Sequence, residues 1–149
     1  MERRKFLGLG LAAAALVPAS LSALDFRKEK PDTWTSKNVA DAVKALYGDV
    51  KPVEGDISVK APKIASNGGA VPVTIKSGLE LKTVALFQDV NPEAAVAVFT
   101  VPAGTKKVNY MIKIKMKASG SVTVIGEGVD GKFYKASQKL DVALGGCEG

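Results

Sequence analysis

The sequence contains no histidine and one cysteine among its 149 residues, and only 6% of the residues are aromatic. Without histidine there is no Ser-His or Cys-His catalytic pair, no imidazole metal ligand and no imidazole proton shuttle. A single cysteine also excludes a Cys-x-x-Cys redox pair and a thiolate zinc site. The chain therefore lacks most of the side chains from which active sites are built, and we expect neither a cofactor nor a bound metal.

The charge balance is mildly positive, with 21 Lys and Arg against 15 Asp and Glu, for a net charge of +6. Loss of an N-terminal export segment would reduce this excess. Such a charge can attract small anions or an acidic partner, but it falls well short of a nucleic-acid-binding patch. The few aromatic residues also form no stacking pattern, so we expect no nucleic-acid partner.

The first 23 residues are typical of an export signal rather than of a folded domain. The sequence Arg-Arg-Lys-Phe-Leu at positions 3–7 is a twin-arginine motif, and an apolar run at positions 7–17 follows it. That run is too short to span a bilayer permanently. Cleavage after Ala19 or Ala23 would release a periplasmic protein with no membrane segment; a retained N-terminal anchor is the alternative.

Residues 24–55 are predicted to form an N-terminal helical segment. The charged stretch Leu24 to Pro31 is expected to be extended. Thr35 or Ser36 then caps a helix from about Ser36 to Tyr47, and Gly48 ends it. The apolar stripe of this helix consists of Val39, Ala40, Val43, Leu46 and Tyr47. We expect the stripe to pack against an end or a face of a sheet.

Residues 56–142 change to the two-residue period of β-strands. Turn residues recur every eight to twelve positions, and Val96 to Val101 is apolar enough to be a buried strand. The pattern predicts about seven short strands and a mainly β fold, an immunoglobulin-like antiparallel β-sandwich. The residues assigned to these strands are Ile57, Val59, Ala61, Val71, Val73, Ile75, the run Leu79 to Phe87 as one strand or a strand pair, Tyr110, Ile112, Ile114, Met116, Val122, Val124 and the run Phe133 to Val142.

Two motifs have structural explanations that are simpler than functional ones. Residues 126–131 match Gly-x-Gly-x-x-Gly, but a dinucleotide site requires a helix after the glycines. Here Asp130 and Gly131 lie between two strand patterns and favour a hairpin turn. The alternating lysines Lys113, Lys115 and Lys117 are expected to form a solvated sheet face; a docking patch for an anion or a partner is the alternative.

The only cysteine, Cys147, lies near the end of the sequence between Gly145-Gly146 and Glu148-Gly149. Glycines have no side chains to pack and allow wide backbone freedom, so residues 143–149 are predicted to form a flexible arm. The thiol is then either reactive or available for an intermolecular disulfide. Its unperturbed pKa of about 8.5 leaves only a small thiolate fraction at neutral pH. No neighbouring residue activates it.

The export signal, the short helical segment, the predicted sandwich and the Gly145-Gly146-Cys147 terminus together resemble the SoxY family, sulfur carriers of the periplasmic thiosulfate-oxidising Sox system. The resemblance extends over the whole chain, and the terminal motif is its most specific part. The family pattern ends Gly-Gly-Cys-Gly-Gly, whereas this chain has Glu148 directly after the cysteine.

The resemblance implies a carrier rather than an enzyme, with Cys147 as the covalent attachment site and Gly145, Gly146 and Gly149 as the flexible positions of the arm. It implies a heterodimer with a SoxZ-like β-sandwich protein. The haem protein SoxAX, the hydrolase SoxB and, where present, the sulfane dehydrogenase SoxCD would be transient partners acting on thiosulfate-derived sulfur. A thiol enzyme and a structural protein with a disulfide through Cys147 remain the alternatives.

Overall fold

The computed structural model describes residues 25–143, and the N-terminal part of that range is helical. It contains α1 (Phe26–Glu29), a 3₁₀ helix (Pro31–Trp34) and α2 (Val39–Tyr47). The prediction of an extended stretch up to Pro31 was therefore wrong over α1. The Asp25 side chain caps α1 by accepting the Arg27 N–H at 3.1 Å, a local hydrogen bond that favours helix over extended backbone.

Helix α2 begins at Val39, three residues later than predicted, because Asn38 is its N-cap. The Asn38 side chain accepts the Asp41 N–H at 2.8 Å, whereas Ser36 donates its hydroxyl to the Asp32 carbonyl at 2.7 Å and supports the preceding 3₁₀ helix. The stop at Gly48 is confirmed, with φ of 81°. Within residues 25–143, no helix is long and apolar enough to cross a membrane.

Between α2 and Ala143, the last described residue, the chain forms eight strands, one more than predicted, because a two-residue strand was not expected. The strands are β1 (Ile57–Lys60), β2 (Ile64–Ala65), β3 (Val71–Ser77), β4 (Leu81–Gln88), β5 (Ala95–Thr100), β6 (Val108–Ile114), β7 (Gly120–Gly128) and β8 (Phe133–Val142). The predicted strand pattern up to Lys117 ends at Ile114, since Asn91 then bridges the Lys115 carbonyl and the Lys117 N–H with its side-chain amide.

The strands form two sheets, in the orders β1-β3-β6 and β2-β8-β7-β4-β5. All neighbouring strands are antiparallel except β2 and β8, which run parallel. The three-stranded sheet and one face of the five-stranded sheet meet in one core, which confirms the mainly β sandwich. The core includes Val71, Val73 and Ile75 from the smaller sheet and Val84, Leu86, Val122 and Val124 from the larger.

Helix α2 covers the other face of the five-stranded sheet. Ala42 and Leu46 are buried against Phe87 and Ile125, and the Tyr47 ring lies 5.0 Å from the Phe133 ring, centroid to centroid. The predicted packing of the apolar stripe against a sheet face is confirmed. Only one member differs, since Ala40 is exposed and Ala42 takes its place.

Strand β5 lies at the free end of the five-stranded sheet and is half-buried rather than buried. Its apolar composition was interpreted as that of a buried strand, which is wrong. The two faces of β5 are apolar for separate reasons: Phe99 faces the sandwich core, whereas Val98 faces the layer formed by α2. A two-sided apolar pattern alone does not distinguish an edge strand covered on both faces from a central strand.

Candidate functional site

The predicted site residues Cys147, Gly145, Gly146 and Gly149 lie outside the described residues, so no geometry is assigned to them. The described part of the chain extends to Ala143, one residue after β8, and this is where the predicted arm leaves the sandwich. The site that can be described is therefore the arm root, by which we mean Ala143, the end of β8 and the residues that contact them.

The end of β8 is fixed in the core by alternating side chains. Leu140 and Val142 are 2% and 6% exposed, whereas Asp141 between them faces solvent. The backbone N–H of Val142 donates to the Ser119 hydroxyl at 2.9 Å, which connects this end of β8 to the turn before β7. Burial of two aliphatic side chains within three residues makes the last residues of β8 a firm support for whatever follows.

Strand β2 holds the arm root from the other side. It pairs parallel to the end of β8, so that the Asp141 N–H donates to the Lys63 carbonyl at 2.8 Å and the Ala143 N–H to the Ala65 carbonyl at 2.9 Å. The sequence analysis missed this strand because two residues are too few to have a period. The nearest signal was the exposed, apolar Ile64 between Pro62 and the Asn-Gly-Gly turn at positions 67–69.

A side-chain amide joins the arm root to the end of β1. Gln138 on β8 accepts the Ala61 N–H at 3.0 Å through Oε1 and donates to the Ala61 carbonyl at 2.6 Å through Nε2. The pair has the donor and acceptor pattern of a backbone ladder, although one partner is a side chain. The connection between β1 and β2 is therefore held against β8 at both ends.

An open groove of about 590 Å³ lies between this connection and β8. Its lining combines the apolar Ala61 and Leu140 with three lysines and one aspartate. The lining residues are Lys60, Ala61, Lys63, Gln138, Lys139, Leu140 and Asp141. Among residues 25–143, none of these three lysines is ion-paired with a carboxylate, so the groove keeps a positive balance.

The far end of β8 begins at the hairpin that was predicted for Asp130 and Gly131, and that prediction is confirmed. Gly131 has φ of 83°, and Asp130 accepts the Lys132 N–H at 2.9 Å and the Tyr134 hydroxyl at 2.8 Å. These two hydrogen bonds lower the pKa of Asp130 below its usual value, and the contact between the two side chains raises the pKa of Tyr134. The Gly-rich motif is thus a β-turn and not a nucleotide loop.

A second polar contact fixes α2 to the sheet. The Tyr47 hydroxyl lies 2.7 Å from the Thr83 hydroxyl, which donates to Glu127 at 3.0 Å. Burial, and to a lesser extent the charge of Glu127, raise the pKa of Tyr47 far above its usual value, although the contact with Thr83 opposes the shift. This arrangement orients α2, and it lies on a different face from the arm root.

Within residues 25–143, no group of three or more His, Cys, Asp or Glu side chains could hold a metal ion. Lys113, Lys115 and Lys117 are exposed, as the solvated-face prediction requires. The described surface therefore supports a terminal segment and provides a basic groove beside it, and it contributes no cysteine, no histidine and no metal cluster.

The sequence matches the family model described as sulfur oxidation protein SoxY over residues 43–147. This range covers more than half of the chain and ends at Cys147. Among curated proteins, no sequence matches this chain significantly.

The sandwich is similar to that of the sulfur carrier protein SoxY from Chlorobium limicola f thiosulfatophilum, with 28% identity and a TM-score of 0.59 over 71% of this chain and 96% of that one. A superoxide reductase (neelaredoxin) from Ignicoccus hospitalis has 16% identity and a TM-score of 0.48 over 60% of this chain and 81% of that one. A putative superoxide reductase from Thermotoga maritima has 14% identity and the same TM-score of 0.48, over 63% and 94%.

Proposed function

Because the chain belongs to the SoxY family of sulfur oxidation proteins, we propose that it carries sulfur covalently on Cys147 during thiosulfate oxidation. The observation that carries the proposal is that the family match extends to residue 147 and so includes the only cysteine of the sequence. A carrier needs a thiol that other proteins can reach, and it needs no base or metal of its own. This requirement agrees with the absence of histidine from the sequence.

The arm root supports this role mechanically. Hydrogen bonds from Asp141 and Ala143 to the β2 segment, together with burial of Leu140 and Val142, hold β8 until the last described residue. A fully extended segment from Ala143 to Cys147 then adds about 13 Å of reach at about 3.3 Å per residue. The body can stay outside an enzyme while the thiol enters its active-site channel.

The chemistry proposed for Cys147 is a cycle of additions and hydrolyses. A bond forms between Sγ of Cys147 and the outer sulfur of thiosulfate, while the thiol proton leaves to water and an electron pair passes to a haem protein. Water then attacks the terminal sulfonate, sulfate leaves, and a cysteine persulfide remains. Oxidation of that persulfide to a sulfonate, with water as the oxygen source and a dehydrogenase as electron acceptor, followed by a second hydrolysis, would return the thiol.

The proposed partners are the enzymes of this cycle: SoxAX for the oxidative addition, SoxB for hydrolysis and SoxCD, where present, for oxidation of the persulfide. A SoxZ-like sandwich is the proposed stable partner. Strand β5 favours such a partner, because it is an apolar strand at the edge of its sheet. Its Phe99 ring lies 5.1 Å from the ring of Tyr110 on β6, which is the edge strand of the facing sheet. Slower hydrogen exchange at residues 97–100 after mixing with the SoxZ-like protein would support pairing there; unchanged exchange would contradict it.

Experiments can distinguish two other functions from that of a covalent sulfur carrier. A thiol enzyme would turn over substrate as a purified protein without partners. A structural protein would form a disulfide dimer, visible in non-reducing electrophoresis, which Cys147→Ser abolishes while thiosulfate oxidation continues. For the carrier we expect the opposite result: Cys147→Ser stops thiosulfate oxidation in cells, although the variant folds with an unchanged melting temperature.

We also propose that the protein works in the periplasm and reaches it by the twin-arginine route. The support is the Arg3-Arg4 pair, followed by a short apolar run and small residues before Ala23. Replacement of both arginines by lysine should leave the precursor in the cytoplasmic fraction, while a matched Lys5→Arg variant is exported. Export of the double-lysine variant would contradict the proposed route.

A further inference from the structure

The outer face of the three-stranded sheet carries positive charge and no carboxylate. It is formed by the residues of β1, β3 and β6 that alternate with the buried ones and point away from the core. They are Ser58, Lys60, Pro72, Thr74, Lys76, Asn109, Met111 and Lys113. Helix α2 covers the outer face of the other sheet, whereas here the three lysines are exposed and Met111 is 70% exposed. We refer to this surface as the basic face.

The positive charge continues into the loops beside this sheet. Residues 57–79 and 94–126, which contain all three of its strands, include eight lysines and no aspartate or glutamate. The lysines are Lys60, Lys63, Lys76, Lys106, Lys107, Lys113, Lys115 and Lys117, and all eight are exposed. Within residues 25–143, none of them is ion-paired. Carboxylates border the region at Asp56, before β1, and at Asp89, next to the start of β7.

The basic face and its loops extend to the arm root. The Ser119 hydroxyl accepts the Val142 N–H at 2.9 Å, and Lys117 lies two residues before Ser119. Lys60 belongs both to the basic face and to the groove beside the end of β8, where Asp141 is the one carboxylate. Lysines therefore lie on two sides of the place where β8 ends.

The composition of the basic face fits a transient partner with an acidic surface. Lysine is depleted from the cores of stable interfaces, because its ammonium group is strongly hydrated and its side chain loses rotamer freedom when it is fixed. Exposed lysines instead speed the encounter with a negatively charged protein. Met111 pairs with Thr74 across the two strands and adds a flexible apolar side chain, which adapts to different surfaces.

We propose that the basic face, with the lysines beside the arm root, is the surface on which the carrier docks against carboxylate-rich surfaces of the enzymes that act on its sulfur. Docking there brings the end of β8 to the enzyme, and the lysines make association fast while each contact stays weak. Strand β5, the edge proposed for the SoxZ-like protein, belongs to the other sheet. The inference rests on the carrier function, since it assigns the surface by which the proposed carrier meets its enzymes.

The first test measures how fast each lysine of the full mature chain is acetylated, with and without the SoxZ-like protein and the hydrolase SoxB. Peptide mass spectrometry gives the rate for each lysine. The hydrolase should slow acetylation of Lys60, Lys113 and Lys117 about threefold or more, because a docked protein covers them. Lys28 and Lys51, in the N-terminal helical segment, should keep their rates. Protection of the basic face by the SoxZ-like protein alone, or no protection by the hydrolase, would overturn the proposal.

The second test measures the rate of association with the hydrolase. Lys113→Gln combined with Lys117→Gln should slow association about three- to tenfold at low salt, and 0.5 M salt should remove most of the difference. The matched variant, Lys28→Gln combined with Lys51→Gln, removes the same charge from the helical segment and should change the rate less than about twofold. Equal slowing in the two variants would mean that only net charge matters and would overturn docking on this face. Melting temperatures show whether each variant is folded.

Vesicles that contain phosphatidylglycerol are a further probe in the acetylation experiment. Protection of the basic face by vesicles but not by the hydrolase would identify a lipid surface as the ligand and overturn the proposal. Sulfur adducts on Cys147 without protection by the hydrolase would remove the docking surface and leave the carrier function intact. Protection without any adduct would contradict the carrier function and leave the docking surface in place.

Discussion

The side chain of Gln138 forms a two-way hydrogen bond with the backbone of Ala61, accepting its N–H at 3.0 Å and donating to its carbonyl at 2.6 Å. Both residues line the basic groove, and Ala61 lies three residues before β2, which pairs with the last residues of β8. We therefore expect a residue in the middle of β8 to contribute to how firmly the arm root is held.

Gln138→Ala should loosen the arm root. The backbone N–H and carbonyl of Ala61 lose their partner in a partly buried position, so we expect the free energy of unfolding to fall by about 1–2 kcal/mol. Hydrogen exchange at the Asp141 and Ala143 amides should accelerate, because β2 is then held less tightly. Urea denaturation and native-state exchange measure the two effects.

The matched control for Gln138→Ala is Ser137→Ala, the adjacent residue on β8. The Ser137 hydroxyl contacts the Thr123 hydroxyl at 2.9 Å on the exposed face, and its loss should cost less than about 0.5 kcal/mol. Equal losses of the free energy of unfolding in the two variants would mean that the contact with Ala61 stabilises the fold no more than the exposed Ser137 contact does.

Gly146→Val should impair sulfur transfer more than folding. A β-branched side chain widens the arm and restricts its backbone, but it removes no contact from the sandwich. We expect thiosulfate oxidation by the reconstituted system to fall by about tenfold or more, with a melting temperature close to that of the unmodified protein. Parallel losses of activity and melting temperature would contradict this prediction.

The hairpin before β8 should make stability depend on pH. Two hydrogen bonds lower the pKa of Asp130 below its usual 3.8. The carboxylate therefore adds to the free energy of unfolding above that pH, and this addition is lost as the pH falls through the folded-state pKa. The pKa of Tyr134 is raised above its usual 10.0. The protonated hydroxyl therefore adds to the free energy of unfolding below pH 10, and this addition is lost at higher pH.

Tyr134→Phe removes the hydroxyl that donates to Asp130, so the loss of stability above about pH 10 should disappear. The loss of stability at acid pH should only become smaller, because the Lys132 N–H still bonds the Asp130 carboxylate. The urea midpoint of the variant should therefore change less than that of the unmodified protein between about pH 5 and pH 2, and again above about pH 10. Asp130→Asn removes the titrating carboxylate and should likewise reduce the change of the urea midpoint at acid pH. If both variants keep the full pH dependence of the urea midpoint, this contact does not stabilise the folded state.

Leu46→Ala should destabilise the fold from the side opposite the core of the sandwich. Leu46 is 3% exposed and packs with Ala42 against the sheet, so its truncation leaves a cavity and should cost about 2–4 kcal/mol in urea denaturation. Lys44→Ala on the exposed face, where the pair with Asp49 is largely solvated, should cost no more than about 0.5 kcal/mol. A similar cost for both would mean that α2 is not part of the cooperative fold.

The strands β1, β3 and β6 of the smaller sheet could be predicted from the sequence because their buried and exposed residues alternate. The buried Val71, Val73 and Ile75 of β3 follow a strict two-residue period. The pair Asp130-Gly131 correctly indicated the hairpin between β7 and β8. The failures have local causes. The side chain of Asn38 competes successfully with Ser36 as the cap of α2, and β5 is apolar on two faces although it lies at an edge.

The candidate site was predicted only in part. Cys147 is prominent in the sequence because it is the only thiol and has glycines around it. The features that hold the arm root, by contrast, have no sequence period: β2 is two residues long, and the Gln138 contact joins residues 77 positions apart. Pairings of this kind become visible only when the two sheets are assembled.

The central claim, that Cys147 carries sulfur, is tested most directly by intact-mass analysis of the C-terminal peptide. The peptide should be taken without reductant from cells that are oxidising thiosulfate, with Cys147→Ser cells as the reference. We expect masses increased by sulfane sulfur or by thiosulfate on Cys147, and none of these adducts on the peptide from the reference cells. A bare thiol in every sample would contradict sulfur carriage on this residue.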